Sequence, residues 1–214
     1  MDGTPGLRER KKQRTHAAIS DAAIALFLEH GFNQVSVAQV AEAAEVSKRT
    51  LFAYFPSKED LVLHRLADHQ TEAARVVRDR ADGLAPLPAL RAHFLHGLEA
   101  RDPISGLNDH PHVLRLTRMI LDAPSLVARM NGFKADAEAA LAAALHETAG
   151  AGELTARLAA VQIVAVQWEL AQDNARRMAH GESADARHPG AVADAEHAFD
   201  LLASGLGELG RAAG

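Results

Sequence analysis

Along this chain apolar residues recur at intervals of three and four with polar residues between them, the period of an α-helix rather than the alternation of a strand. The pattern opens with Ile19, Ala23, Leu26 and Phe27 on one stripe of a helix expected over Leu7–His30, which Gly31 ends as a left-handed cap. Ser36 is an N-cap for a short helix, Val37–Ala44, where Val37, Val40 and Ala41 share a face and Glu42 and Glu45 meet water. Ser47 caps a second short helix, Lys48–Phe55, with Leu51, Phe52 and Phe55 at helical spacing, and Pro56 stops it. Ser57, Lys58, Glu59 and Asp60 then supply a serine cap and an acidic first turn for a helix running through Leu61–Arg80.

Gly83 to Pro88 reads as a linker, and Pro103, Pro111 and Pro124 mark further breaks. Helices are expected over Leu90–Glu99, 112–121, 124–148, 153–180 and 190–210, with Gly150–Gly152 and Gly181–Gly190 as connections. The chain is therefore expected to be all-α with about nine helices, without a sequence repeat or a long heptad register.

Composition narrows the classes. A chain of 214 residues, 48% hydrophobic, can bury a substantial core, yet no apolar run approaches the roughly 20 residues that cross a bilayer. Met1 to Arg14 is polar and basic without an apolar h-region, so the expected location is cytoplasmic and no membrane partner is expected. Zero cysteines exclude disulfides, thiolate catalysis and thiolate zinc sites. The net charge of −5 argues weakly against nucleic acid, but its distribution is uneven: residues 1–60 are balanced, and Arg8, Arg10, Lys11, Lys12 and Arg14 form a basic arm suited to phosphate contact or to solvation alone.

Two short helices about three residues apart, following a longer one, outline a helix-turn-helix. A small three-helix bundle has the same outline. What separates the two is the second short helix, whose Lys48, Arg49, Thr50 and Tyr54 carry donors of the kinds that reach phosphates and base edges.

The run from Val35 to Leu61 closely resembles the DNA-binding signature of the tetracycline-repressor (TetR) family. The resemblance is carried by Val40-Ala41-Glu42-Ala43-Ala44, Val46-Ser47, Thr50-Leu51 and Tyr54-Phe55-Pro56-Ser57-Lys58, preceded by Ala22-Ala23, Leu26-Phe27 and Gly31-Phe32. It implies an N-terminal arm and helix-turn-helix DNA-binding domain in residues 1–60 and a helical ligand-binding and dimerisation domain in residues 61–214. It implies a homodimeric repressor that binds a palindromic double-stranded operator and responds to a small-molecule effector, with no enzymatic activity and no cofactor. Ser36 then corresponds to a phosphate-contacting cap, Ser47 caps the recognition helix, Lys48 and Arg49 face base edges, and Thr50, Tyr54 and Lys58 anchor the backbone. Three residues depart from the family pattern. Glu45 stands in place of a glycine in the turn, so a strained or remodelled turn is expected; Phe52 replaces a tyrosine; Ala38 brings no hydrogen-bonding group.

For the remainder, the resemblance implies a dimer surface on the last two helices, where Leu158, Val161, Ala165 and Trp168 and then Val192, Ala195, Phe199 and Leu202 lie at helical spacing. The same stripes would equally close a monomer core. Phe94, Leu98, Leu116, Met119, Ile120, Met130, Phe133, Val166 and Trp168 are candidates for an apolar cavity, with Gln162, Gln167 or Asn174 as polar orienters. The segment Arg115–Met119 with Pro124–Leu126 resembles that of family members sensing acyl-coenzyme A thioesters, which would turn Arg115 and Arg118 toward phosphates; the same arginines equally suit a solvated face. Twelve histidines raise a metal-sensing alternative through His93, His96, His110 and His112, but no four-ligand spacing completes it. No nucleophile elbow, phosphate-binding glycine loop, HExxH motif or paired-carboxylate pattern is present, so no catalytic residue is assigned. A helical ligand-sequestering protein with weakened DNA binding is the remaining alternative, kept open by Glu45 and Phe52.

Overall fold

Serine caps and a glycine set the boundaries of the N-terminal helices in the computed structural model, which describes residues 6–67 and 69–205. Helix α1 (Leu7–His30) ends where Gly31 adopts φ 87° and returns its N–H to the Phe27 carbonyl. Ser36 and Gln39 form a reciprocal capping box at the start of α2 (Val37–Ala43): each side chain accepts the other's backbone N–H. Ser47 accepts the Thr50 N–H at 3.0 Å to open α3 (Lys48–Tyr54). Before α4 (Asp60–Ala67), Ser57 and Asp60 repeat the reciprocal arrangement. Ile19, Ala23, Phe27, Phe32, Val40, Leu51 and Phe55 are buried together on the inner sides of these helices.

These residues, up to Arg65, form one compact unit together with Met119–Arg129. The added segment is tied in by Arg129, whose Nε donates to Asp60 at 2.9 Å. The other unit comprises Leu66–Arg118 and the described residues from Met130 onward.

Expected continuity over 61–80 is interrupted. Helix α4 stops at Ala67 and α5 (Glu72–Arg78) begins afresh, because the intervening bonds run from His69 to Leu66 and from Glu72 to His69, three residues back rather than four. Apolar periodicity crosses the break and so conceals it. Helix α6 (Pro86–Glu99) starts inside the expected linker, with Pro86 in its first turn, where a missing N–H costs nothing. Pro111 and Pro124 likewise begin α7 (Pro111–Leu121) and α8 (Pro124–Ala149). After α9 (Glu153–Ala179), α10 (Ala184–Ser204) starts six residues earlier than expected: Ser183 caps it by accepting the Ala186 N–H, and the helix continues through Pro189. The expected end near 210 lies outside the described residues. The described chain is all-helical, with ten α-helices and a short 3-10 turn at Pro103–Ser105.

In the second unit α10 packs on α6 and α9. Val77, Leu90, Leu141, Ile163 and Phe199 centre one core cluster, and Leu98, Leu107, Met178 and Ala195 another. Gly106 (φ 73°) lies so close to α9 that a Cβ there would sit 2.0 Å from the Ala171 carbonyl oxygen. Beside it, buried Asn174 donates to the Ser105 carbonyl at 3.1 Å and accepts from Arg187 Nε at 3.1 Å, so the close approach is held by satisfied polar groups.

Candidate nucleic-acid interface

Leu51 and Phe55, both fully buried, fix α3 by one face. A helix turns about 100° per residue, so this anchoring sends Lys48, Arg49, Phe52 and Ala53 outward, and all four are exposed. Phe52 is 47% exposed, an uncommon position for a ring without a polar handle. Thr50 and Tyr54 are half-buried on the other flank. The Ser47 and Thr50 hydroxyls bond one another at 2.8 Å, so the cap that starts the helix also fixes the rotamer of Thr50. Ser36 is exposed, but its hydroxyl and N–H are both engaged with the Gln39 side chain. Six of the seven residues expected to meet DNA thus lie at the caps or on the solvent-facing and flanking sides of α2 and α3.

Lys58 is the seventh, and the structure turns it inward. Its Nζ donates to the Phe32 carbonyl at 2.5 Å and sits 4.4 Å from the Phe32 ring centroid and 5.6 Å from that of Phe27. Burial pushes the ammonium below the ordinary lysine range, with Glu59 opposing. The expected phosphate anchor is here a brace between the start of α4 and the segment after α1. The Arg8 side chain, expected in the basic arm, lies outside the described residues; Arg10, Lys11, Lys12 and Arg14 are exposed.

The turn between α2 and α3 resolves the question that Glu45 raised. Glu45 adopts φ 53°, its N–H bonds the Glu42 carbonyl, and the Val46 N–H bonds the Ala41 carbonyl at 2.9 Å. This is the Schellman closure that glycine normally completes, kept with a side chain present rather than remodelled. Left-handed backbone on such a residue costs about 1–2 kcal/mol. Glu45 also leaves an exposed carboxylate beside the donor face of α3.

One feature lacks a distinctive signature in the sequence. Lys12, Gln13 and His16 from α1 and Tyr54 from α3 line a hollow of about 250 Å³. Its sole local signal is the i, i+1, i+4 placement of three donors on α1, which is equally the mark of a solvated helix.

Candidate residues for an effector site are dispersed. Leu98 is fully buried in a core cluster, Phe133 is buried, and Phe94 packs 6.1 Å from Phe199. Met130, Val166 and Trp168 are half-buried, and Met119 belongs to the first unit. Gln162 faces solvent and returns its amide to the Leu158 carbonyl of its own helix, so it orients nothing in a cavity. Arg118, expected toward phosphates, caps α9 by donating Nε and Nη2 to the Ala179 carbonyl, whereas Arg115 is exposed. Of the expected dimer residues, Leu158 and Val161 are exposed and Ala165 is half-buried. Phe199 is a correction: it is 1% exposed in the core of its own chain, with Leu202 packed against the same cluster and Val192 against the other. Among the described residues no three His, Cys, Asp or Glu side chains are grouped to hold a metal.

Residues 19–64 match the family described as bacterial regulatory proteins, tetR family. The HTH-type transcriptional regulator TcmR of Streptomyces glaucescens is 34% identical over 126 residues, 58% of this chain and 55% of TcmR. RutR of Escherichia coli (strain K12), also an HTH-type transcriptional regulator, is 34% identical over 134 residues, 60% of this chain and 59% of RutR. The matched stretch thus spans less than two thirds of these relatives. Among solved structures, the transcriptional regulator FadR from Bacillus subtilis in complex with stearoyl-CoA aligns with a TM-score of 0.51 at 21% identity, covering 88% of this chain and 98% of FadR, a likeness of fold.

Proposed function

We propose that the chain, whose residues 19–64 match the tetR family of bacterial regulatory proteins, is a ligand-responsive transcriptional repressor, not an enzyme, acting as a homodimer on a palindromic operator. The observation that carries this reading is the outward face of α3: Lys48 and Arg49 are exposed on a seven-residue helix that two buried side chains hold by its opposite face. Such a helix fits the major groove, where Arg or Lys pairs with guanine N7 and O6. Two copies must lie about 34–36 Å apart to read successive grooves, which makes a dimer part of the mechanism. Leu154, Leu158 and Val161 support the dimer surface, being large, apolar and exposed at helical spacing on α9.

The effector is an apolar or amphipathic small molecule bound by the second unit, with half-buried Phe94, Met130, Val166 and Trp168 as candidate contacts. An acyl-coenzyme A thioester fits this class; that FadR, with the same fold, was solved with stearoyl-CoA supports the idea, as does exposed Arg115. Such a ligand releases DNA only by binding the non-operator conformation more tightly, and the ratio of its two affinities limits the response.

A salt-titrated mobility shift with DNA from beside the protein's own reading frame tests the reading. A specific complex survives competitor DNA, and Arg49→Ala weakens it by about 1–3 kcal/mol while flattening base preference. The second reading, a ligand-sequestering helical protein with weakened DNA binding, is favoured by the carboxylate of Glu45 beside the donor face. It requires that no competitor-resistant complex form.

A further inference from the structure

Lys48, Arg49, Phe52 and Ala53 make up the exposed face of α3, and the chemistry of that face changes halfway along it. Its first turn carries an ammonium and a guanidinium, which only donate hydrogen bonds; its second carries a phenyl ring and a methyl, which form none. At about 100° per residue Lys48 and Phe52 form one row and Arg49 and Ala53 the next, so each row runs from a cation to an apolar group.

Few acceptors are left beside this face. The Gln39 side-chain oxygen accepts the Ser36 N–H and the Ser36 hydroxyl, both at 2.8 Å, which leaves Gln39 its amide donors. The Ser47 and Thr50 hydroxyls bond each other at 2.8 Å, and Ser47 also accepts the Thr50 N–H. Glu42 and Glu45 expose carboxylates, but on α2, the helix that crosses the DNA backbone in such a motif, and on the turn after it, where phosphates repel them.

Base edges in the major groove differ in what such a face can bind. Guanine offers two acceptors, N7 and O6, and thymine a methyl beside O4, whereas adenine and cytosine are told apart by exocyclic amines, which need an acceptor. We propose that α3 reads its half-site through guanine and thymine alone, with guanine opposite Lys48 and Arg49 and the thymine methyl opposite Phe52 and Ala53. The amines of adenine and cytosine go unread. Four residues of α3 span about 6 Å, so guanine and thymine of one row lie one or two base pairs apart at about 3.4 Å per pair. The inference rests on the DNA-binding reading above.

The test uses the full chain and the duplex that its mobility shift recovers, with bases replaced one at a time. 7-Deazaguanine deletes the N7 acceptor; 2-aminopurine in place of adenine takes the amine out of the major groove and still pairs with thymine. At one or two guanines of each half-site 7-deazaguanine weakens binding about fivefold or more, and in Lys48→Ala or Arg49→Ala, both at exposed positions, the matching penalty disappears. At every adenine 2-aminopurine changes binding by less than about twofold. Glu42→Ala and Glu45→Ala keep every base preference. Arg49→Gln, which places an acceptor on the outer face, moves the preference at its base pair from guanine to adenine and makes that adenine sensitive to 2-aminopurine.

A penalty of about fivefold or more from 2-aminopurine at any adenine of the half-site overturns the proposal, as does a base preference lost in Glu42→Ala or Glu45→Ala. Both outcomes leave the DNA-binding reading intact. Competitor-resistant binding without a 7-deazaguanine penalty at any guanine overturns it too, and assigns sequence reading to the shape of the duplex. Failure of the unaltered protein to form any specific complex removes both readings together.

Discussion

Lys58 donates its ammonium to the Phe32 carbonyl at 2.5 Å, with the Phe32 ring beneath it, and this one bond links α4 to the segment that follows α1. Charge alone would have placed that ammonium on DNA. Replacement by methionine, which preserves most of the stem, should therefore act on stability: about 1–2 kcal/mol is lost as a carbonyl is left without its charged donor. The salt dependence of DNA binding should hardly change. Thermal melts and a salt titration of Lys58→Met check both halves, and a shallower salt slope at unchanged stability contradicts the inward role.

Glu45 offers a way to separate strain from charge. Glu45→Gly relieves the positive φ and should stabilise the chain by about 1 kcal/mol, whereas Glu45→Ala keeps the backbone strain and leaves stability nearly unchanged. Both substitutions remove the carboxylate near α3, so both should tighten DNA binding at low salt, and by similar factors. Urea denaturation and fluorescence anisotropy of the two variants decide the matter. Equal stability of the glycine and alanine forms would contradict the assignment of strain.

How much was legible follows from the reach of each signal. Caps are local chemistry, so Ser36, Ser47 and Gly31 announced α1, α2 and α3 to within a residue. The anchoring of α3 was legible for the same reason, since Leu51 and Phe55 repeat at helical spacing. Two prolines were misread: Pro86 sits in the first turn of α6 and Pro189 inside α10, although both fell in stretches expected to be connections. The break before Glu72 lies in backbone bonds that run three residues back rather than four, and apolar periodicity passes over it unchanged. Lys58 and Phe199 failed for a common reason. The resemblance suggested a surface role for both, and for Phe199 helical spacing left a monomer core equally open; contacts with Phe32 in one case and the core of the second unit in the other decided their direction.

That same Glu72 predicts a pH dependence for the second unit. Its carboxylate lies 2.6 Å from His69 Nδ1 and 3.2 Å from His93 Nε2. The His93 hydrogen bond, more than burial opposes it, holds the Glu72 carboxyl down to about 2. Reciprocally, Glu72 raises His93 above 6.5, with Asp102 assisting and burial and Arg75 opposing. A raised histidine contributes stability fully below 6.5 and loses it as pH climbs through its folded value. A lowered carboxyl contributes above 4.5 and loses its share as pH falls toward 2. The pairing should therefore help most between about pH 4.5 and 6.5. Melting temperature against pH should decline above that window, and His93→Gln should flatten the decline. An unchanged slope in the variant would rule the pairing out as its source.

Phe52 supplies the last prediction, which concerns base reading. It projects 47% exposed from the face that carries Lys48 and Arg49, yet has no hydroxyl with which to hold a phosphate. An apolar ring at such a place finds one favourable partner in the major groove, the C5-methyl of thymine. Burial of one methyl is worth about 0.8 kcal/mol, or roughly fourfold in affinity. Replacing thymine by uracil deletes that methyl and leaves every hydrogen-bonding edge in place. At one thymine of each half-site the change should weaken binding roughly fourfold for the unaltered protein and have no effect in Phe52→Ala, whereas Arg49→Ala should keep the thymine preference while losing discrimination at guanine. Anisotropy titrations against singly substituted duplexes supply the measurement. If Phe52→Ala retains the thymine preference, the methyl is read elsewhere, and the exposed ring serves only to exclude water at the edge of the groove.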